Sequence, residues 1–171
     1  GQRATGAQTM TVASIQKIAV VSPLGGSGRT TLAVHLATLL AERATPCLAI
    51  DLCAQNMLGR HLGMQEATDA GWAALAAQQQ WWGPAALRNS DGVDLLPFGA
   101  ATTSELEILK REWALTPRWL RDRLDALDMP QGTTVLLDTP QWPAPLACQA
   151  LSSAHIVLIV LEPSARACHA Q

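Results

Sequence analysis

The most constraining feature of this chain is a strand that passes into a helix through a glycine-rich loop. Ile18 to Val21 is a short apolar run, long enough for a buried strand. Ser22-Pro23-Leu24-Gly25-Gly26-Ser27-Gly28-Arg29 follows, and Thr30 to Glu42 then takes up helical spacing. Leu32, Leu36, Leu39 and Leu40 are expected on the inner side of that helix. Cys47 to Ile50 is a second apolar run and ends at Asp51. Continuous apolar strands on either side of a helix predict a βαβ unit in a parallel sheet covered on both faces. The fold class expected is therefore α/β.

Later segments fit the same plan. Ala70 to Gln80 is alanine-rich and reads as a helix, and Val93 to Pro97 as a short strand. Glu105 to Trp113 and Pro117 to Leu127 read as two helices, the second with Pro117 near its first turn. Thr133 to Leu137 is a third buried strand, again followed by an aspartate, Asp138, and Ile156 to Leu161 is a fourth. Three strands thus deliver a glycine loop and two aspartates to one edge of the sheet. In open α/β sheets, ligands bind at the carboxyl ends of the strands.

The chemistry of that edge follows from its residue types. Gly25, Gly26 and Gly28 let the loop turn tightly and bring backbone N–H groups, with that of Ser27, close to phosphate oxygens. The following helix start contributes unpaired N–H groups and the positive end of its dipole. Thr30, with Thr31 beside it, offers a hydroxyl to Mg²⁺. Arg29 stands where a phosphate loop ordinarily has lysine, and the two are not interchangeable, because the guanidinium is planar and bulkier. It can still make a bidentate contact to phosphate; the alternative is that it points to solvent. The bland reading, a glycine turn without ligand, is outweighed because the strand, the helix and both aspartates agree.

These motifs resemble those of ParA/MinD-type P-loop ATPases. Pro23 to Thr31 resembles their deviant Walker A motif, Asp51-Leu52-Cys53-Ala54-Gln55-Asn56 their switch I segment, and Leu136-Leu137-Asp138-Thr139-Pro140 their Walker B segment. A narrower resemblance, to the BcsQ (YhjQ) family of cellulose biosynthesis proteins, rests on Cys53 at the second acidic position, on Gly71-Trp72 and on Arg88 to Gly99 with its Asp94-Leu95-Leu96-Pro97-Phe98-Gly99 end. The resemblance runs from about Lys17 to His169 and implies a MinD/ParA-like domain over 15–171, the N-terminal two thirds of the family fold, after a disordered leader or tag remnant at 1–14. It implies ATP or ADP with Mg²⁺ as cofactors. Gly25, Gly26, Ser27, Gly28, Arg29, Thr30, Thr31 and Cys53 would contact the nucleotide, and Thr30, Asp51 and Asp138 the metal, with Asp51 the candidate catalytic group. It also implies protein partners in the cellulose synthase complex, a nucleotide-sandwich homodimer, and a cytoplasmic protein that reaches the inner membrane or cell pole only through partners.

Three departures bear on activity. The family's cross-dimer lysine is Leu24, its phosphate-loop lysine is Arg29, and its second switch aspartate is Cys53. Phosphoryl transfer depends on positioned charge, so weak or absent hydrolysis is expected. An active ATPase for localisation or partitioning, and a nucleotide-free interaction module, remain as alternatives. The family continues past the strand at Ile156 to Leu161, so an exposed sheet edge and self-association are expected here.

Composition excludes several classes. The net charge is -2, lysine occurs only at Lys17 and Lys110, and no basic cluster suits nucleic acid. No apolar run reaches the roughly 18–20 residues needed to span a bilayer, and no secretory leader pattern precedes the first strand. Cys47, Cys53, Cys148 and Cys168 form no CxxC pair, so free thiols are expected and a zinc site is not. Trp81-Trp82 reads equally as a partner-binding patch or a cover for the core, and Trp142 as packing near the site.

Overall fold

The computed structural model describes residues 14–23, 28–64 and 69–161. The strands are β1 (Gln16–Val21), β2 (Cys47–Asp51), β3 (Leu87–Arg88), β4 (Asp94–Leu96), β5 (Thr134–Asp138) and β6 (Ile156–Ile159). They form one sheet in the order β3-β4-β2-β5-β1-β6, parallel throughout except for β3, which pairs antiparallel with β4. The helices are α1 (Gly28–Glu42), α2 (Leu58–His61), α3 (Trp72–Ala77), α4 (Thr103–Leu115), α5 (Trp119–Asp125) and α6 (Pro145–Ser153). The mixed α/β sheet and its crossovers match the expected fold class.

Alternation along the central strands divides the core. Val20, Cys47, Ala49, Leu95 and Leu136 face α1 and α2, where Ala33, Ala37 and Leu58 meet them. Ala19, Leu48, Ile50, Leu96, Val135 and Leu137 face the opposite layer of α3 to α6. That layer holds an aromatic cluster around fully buried Trp72, whose ring lies 4.9 Å from that of Trp82 and 5.0 Å from that of Phe98. A Cβ on Gly71 would overlap the Phe98 carbonyl, so glycine at 71 is what lets Trp72 enter the core.

Several boundaries differ from the sequence expectation, each for a local reason. The inner stripe of α1 centres on Ala33 and Ala37, while Leu32, Leu36 and Leu40 are half-buried and Leu39 is exposed; small residues let the helix sit close to the sheet. The α3 helix is shorter than Ala70 to Gln80, because Gln79 adopts a left-handed φ of 56° and the Gln80 N–H turns back to the Leu75 carbonyl at 2.8 Å. The start of α4 is fixed by a capping box in which Thr102 Oγ1 accepts the Glu105 N–H and Glu105 accepts the Thr102 N–H. Pro117 lies in the turn before α5 rather than in its first turn, with the Trp119 N–H closing on the Thr116 carbonyl. Neither α6 nor β3 was expected from the sequence, and β6 is shorter than Ile156 to Leu161. Among the described residues it pairs only with β1, so β6 is there an edge, with Ile156, Val157, Ile159 and Leu161 exposed.

Candidate functional site

Register puts the two aspartates side by side. Asp51 and Asp138 are directly paired at the ends of β2 and β5, and Asp138 is also opposite Val20 of β1. β1 ends at Val21 and α1 begins at Gly28, so that helix begins above the same edge. Leu24, Gly25, Gly26 and Ser27 lie outside the described residues, as do the expected leader apart from Ser14, and Cys168 and His169.

Thr30 Oγ1 donates to Asp138 Oδ2 at 2.9 Å. Asp138 is only 1% exposed, yet its Oδ1 has no hydrogen-bond partner among the described residues. Arg29 turns inward: its Nε and Nη1 are buried and likewise without partners among the described residues. Its charge pulls the Asp138 and Cys53 pKa values downward. The solvent-pointing alternative for Arg29 is thereby set aside. Thr31 is exposed one position along the helix.

Asp51 is fully buried and differently employed. Its Oδ1 accepts the Cys53 N–H at 2.9 Å and its Oδ2 the Leu58 N–H at 3.0 Å. The carboxylate therefore holds the loop from 52 to 57 in shape, and it binds the first N–H of α2. The loop is pinned further on: Asn56, with φ of 56°, accepts the Gly99 N–H at 3.1 Å, and the Leu52 N–H bonds the Asp138 carbonyl at 2.9 Å. Cys53 Sγ donates to that same carbonyl at 3.7 Å. Asp51, Cys53 and Asp138 present ligand atoms within 4.8 Å of one another, all buried.

The electrostatics follow from that burial. Asp51 is raised to about 7, chiefly by burial and also by the Asp138 charge, against the two N–H bonds that lower it. Burial raises Asp138 to about 6, opposed by the Thr30 hydrogen bond and by Arg29. The Cys53 thiol is pushed up by burial and by both carboxylates, so it is neutral as it stands. Two adjacent buried acids with an unpartnered oxygen are costly without a cation. The oxygen donors of Thr30 and Asp138 suit a hard divalent ion.

Contacts that motif reading could not supply complete the site. Trp72 Nε1 donates to the Asp51 carbonyl at 2.8 Å, tying the aromatic cluster to the end of β2. Thr139 Oγ1 donates to the Val20 carbonyl at 2.7 Å and fixes β5 against β1 just beyond Asp138. No sequence signal announces either bond, because each joins residues far apart in the chain. Trp142 follows, its N–H on the Ser22 carbonyl at 3.3 Å, its side chain beside Pro23, Leu151, Val157 and Ile159.

With that geometry in place, the model of one family, described as cellulose biosynthesis protein BcsQ, matches residues 15–171. The chain belongs to the BcsQ family. The BcsQ of Salmonella typhi is 32% identical over 146 residues, which is 85% of this chain and 58% of that protein. This chain therefore spans little more than half the length of that BcsQ. Among solved structures, the septum site-determining protein MinD of Pyrococcus horikoshii, complexed with Mg-ADP, superposes with a TM-score of 0.70 at 24% identity, covering 90% of this chain and 60% of that one. Cobyrinic acid a,c-diamide synthase of Mycobacterium smegmatis, with bound ADP and magnesium, gives a TM-score of 0.71 at 24% identity, over 86% and 59%. These two likenesses establish a MinD-like fold for this BcsQ-family chain.

Proposed function

We propose that this chain is the nucleotide-binding part of an accessory protein of bacterial cellulose synthesis and secretion, binding ATP or ADP with Mg²⁺ and hydrolysing it slowly or not at all. The observation that carries the reading is the Thr30–Asp138 pair at the N-terminal turn of α1, with a buried carboxylate oxygen left without a partner among the described residues. Family membership supplies the cellulose context, and the Mg-ADP bound to the MinD relative is consistent with the cofactor.

Each residue has a derivable part. The N-terminus of α1 offers backbone N–H groups to phosphate. The inward Arg29 guanidinium contributes permanent positive charge and two unused buried donors. Thr30 Oγ1 and Asp138 Oδ1 would hold Mg²⁺, which when bound neutralises phosphate charge. Asp51 shapes the 52–57 loop beside the phosphates; with both oxygens already accepting N–H groups, it is poorly placed to activate water as well. The neutral Cys53 thiol cannot supply the electrostatic help of a carboxylate there. These two points favour a bound-state scaffold over a fast ATPase.

In this reading the protein acts in the cytoplasm, is brought to the inner membrane or cell pole by partners of the cellulose synthase complex, and pairs with a second copy across bound nucleotides. Two assays test the biochemical core. Nucleotide should co-purify with the chain and be released on chelation of Mg²⁺, while steady-state phosphate release should stay near the background rate. Rapid turnover would replace the scaffold reading with an active ATPase; failure to retain or bind any nucleotide would leave the interaction module.

A further inference from the structure

We propose that Trp81 and Asp128 anchor a docking surface for a basic segment of a protein partner, an arginine of that segment lying on the indole and pairing with the carboxylate. The surface lies at the amino ends of β2 and β4, the sheet edge opposite Asp51 and Asp138, and does not rest on the nucleotide reading.

Backbone geometry builds the platform. Trp81 is 62% exposed, although its neighbour Trp82 is buried in the aromatic cluster. The Trp81 ring rests against Gly83, where a Cβ would come within 2.3 Å of ring carbons, so the missing side chain lets the indole lie down. Gly83 opens a short 3₁₀ turn over Gly83–Ala85, held by the Ala85 N–H on the Trp82 carbonyl and the Ala86 N–H on the Gly83 carbonyl, each at 3.0 Å. A large ring held this way loses little freedom on binding, and tryptophan is enriched among the residues that carry interface affinity. Beside it opens a cavity of about 360 Å³, with Leu48, Leu96, Leu127 and Met129 supplying apolar lining.

Charge selects the occupant. Arg88, Asp94 and Asp128 line the same cavity. Arg88 Nε and Nη2 donate to Asp94 at 2.7 and 3.3 Å, so those two charges offset each other. Asp128 is exposed and has no hydrogen bond or ion pair among the described residues. The cavity thus keeps one uncompensated negative charge beside an open indole, which suits a cation and disfavours a phosphate or carboxylate. A guanidinium satisfies both groups at once: its plane stacks on the ring and its fork of N–H groups meets the carboxylate. The chain already uses the first of these contacts elsewhere, where Arg123 lies 4.3 Å from the Trp119 ring centroid. Exposed Leu87, also on the cavity, extends the apolar surface beyond what a lone cation covers, so the occupant is a peptide segment.

The probe is a capped leucine-arginine-leucine tripeptide, titrated into the 171-residue chain alongside its citrulline counterpart, which keeps the shape and loses the charge. The readout is the indole N–H resonance that Trp81→Ala removes from the NMR spectrum. That resonance should shift saturably with the arginine peptide, and the citrulline peptide should bind at least about fivefold more weakly. Asp128→Asn should bring the arginine peptide down to the citrulline level, and calorimetry should show binding lost in Trp81→Ala. Both side chains are exposed, so neither variant disturbs the core. No shift, equal affinity of the two peptides, or unchanged affinity in Asp128→Asn would overturn the proposal. Peptide binding by a chain that binds no nucleotide would sink only the nucleotide reading; nucleotide binding without peptide binding would sink only this one.

Discussion

Replacing Asp138 with asparagine should make the cation-free protein more stable while abolishing the Mg²⁺-nucleotide binding proposed for it. Asp138 is buried, and its folded pKa of about 6 stands above the ordinary 3.8. A raised carboxyl pKa means the folded state holds the proton more tightly than the unfolded chain. Between those two values the folded state therefore binds more protons, and stability falls as pH rises. A shift of about two units corresponds to about 3 kcal/mol at neutral pH and above. The asparagine side chain keeps an oxygen for the Thr30 hydroxyl and removes the charge. Urea denaturation in the presence of chelator should show Asp138→Asn more stable by on the order of 3 kcal/mol near pH 8, with roughly half that gain near pH 5 and little below about pH 4. A variant equal to or less stable than the parent across this range would refute the claim that burial outweighs the help Asp138 receives from Thr30 and Arg29, and with it the case for a further cation beside Thr30.

Further outcomes follow from other contacts. Gly71→Ala should destabilise by about 1–3 kcal/mol, because its Cβ has nowhere to go against the Phe98 carbonyl; denaturant midpoints measure this. Trp72→Phe preserves most of the aromatic packing but strands the Asp51 carbonyl, at a cost of about 1–3 kcal/mol, readable in the same assay. Arg29→Gln removes a charge that lowers the Asp138 pKa, so the Asp138 titration followed by NMR should move to higher pH; an unmoved titration would show that the guanidinium does not act on the carboxylate. The exposed apolar edge of β6 predicts concentration-dependent association of this chain by light scattering, reduced by Ile159→Lys; a monodisperse monomer at high concentration would contradict it.

The parts of the fold that could be read from sequence are those with local causes. Buried parallel strands leave unbroken apolar runs, so β1, β2 and β5 stood out, and with them the edge to which Asp51 and Asp138 are delivered. Thr102 and Glu105 show why α4 starts where it does only once the capping box is seen as a pair. What stayed hidden depends on partners distant in sequence. The leucines of α1 look like its core face, but close approach to the sheet favours Ala33 and Ala37. The neighbours Trp81 and Trp82 separate, Trp82 entering the aromatic cluster and Trp81 remaining 62% exposed. The inward turn of Arg29 and the two-sided engagement of Asp51 are tertiary facts. The motif located the site, and the contacts assigned its parts.

The central claim, that the edge formed by α1, β2 and β5 binds Mg²⁺-nucleotide, is tested most directly by calorimetry on the parent chain and on Gly28→Val. Valine at the first residue of α1 sets a branched side chain where phosphate must approach the backbone. Mg²⁺-dependent binding of ATP or ADP to the parent is expected, with loss of that binding in a folded Gly28→Val. Equal binding by both chains, or binding by neither, would contradict the claim.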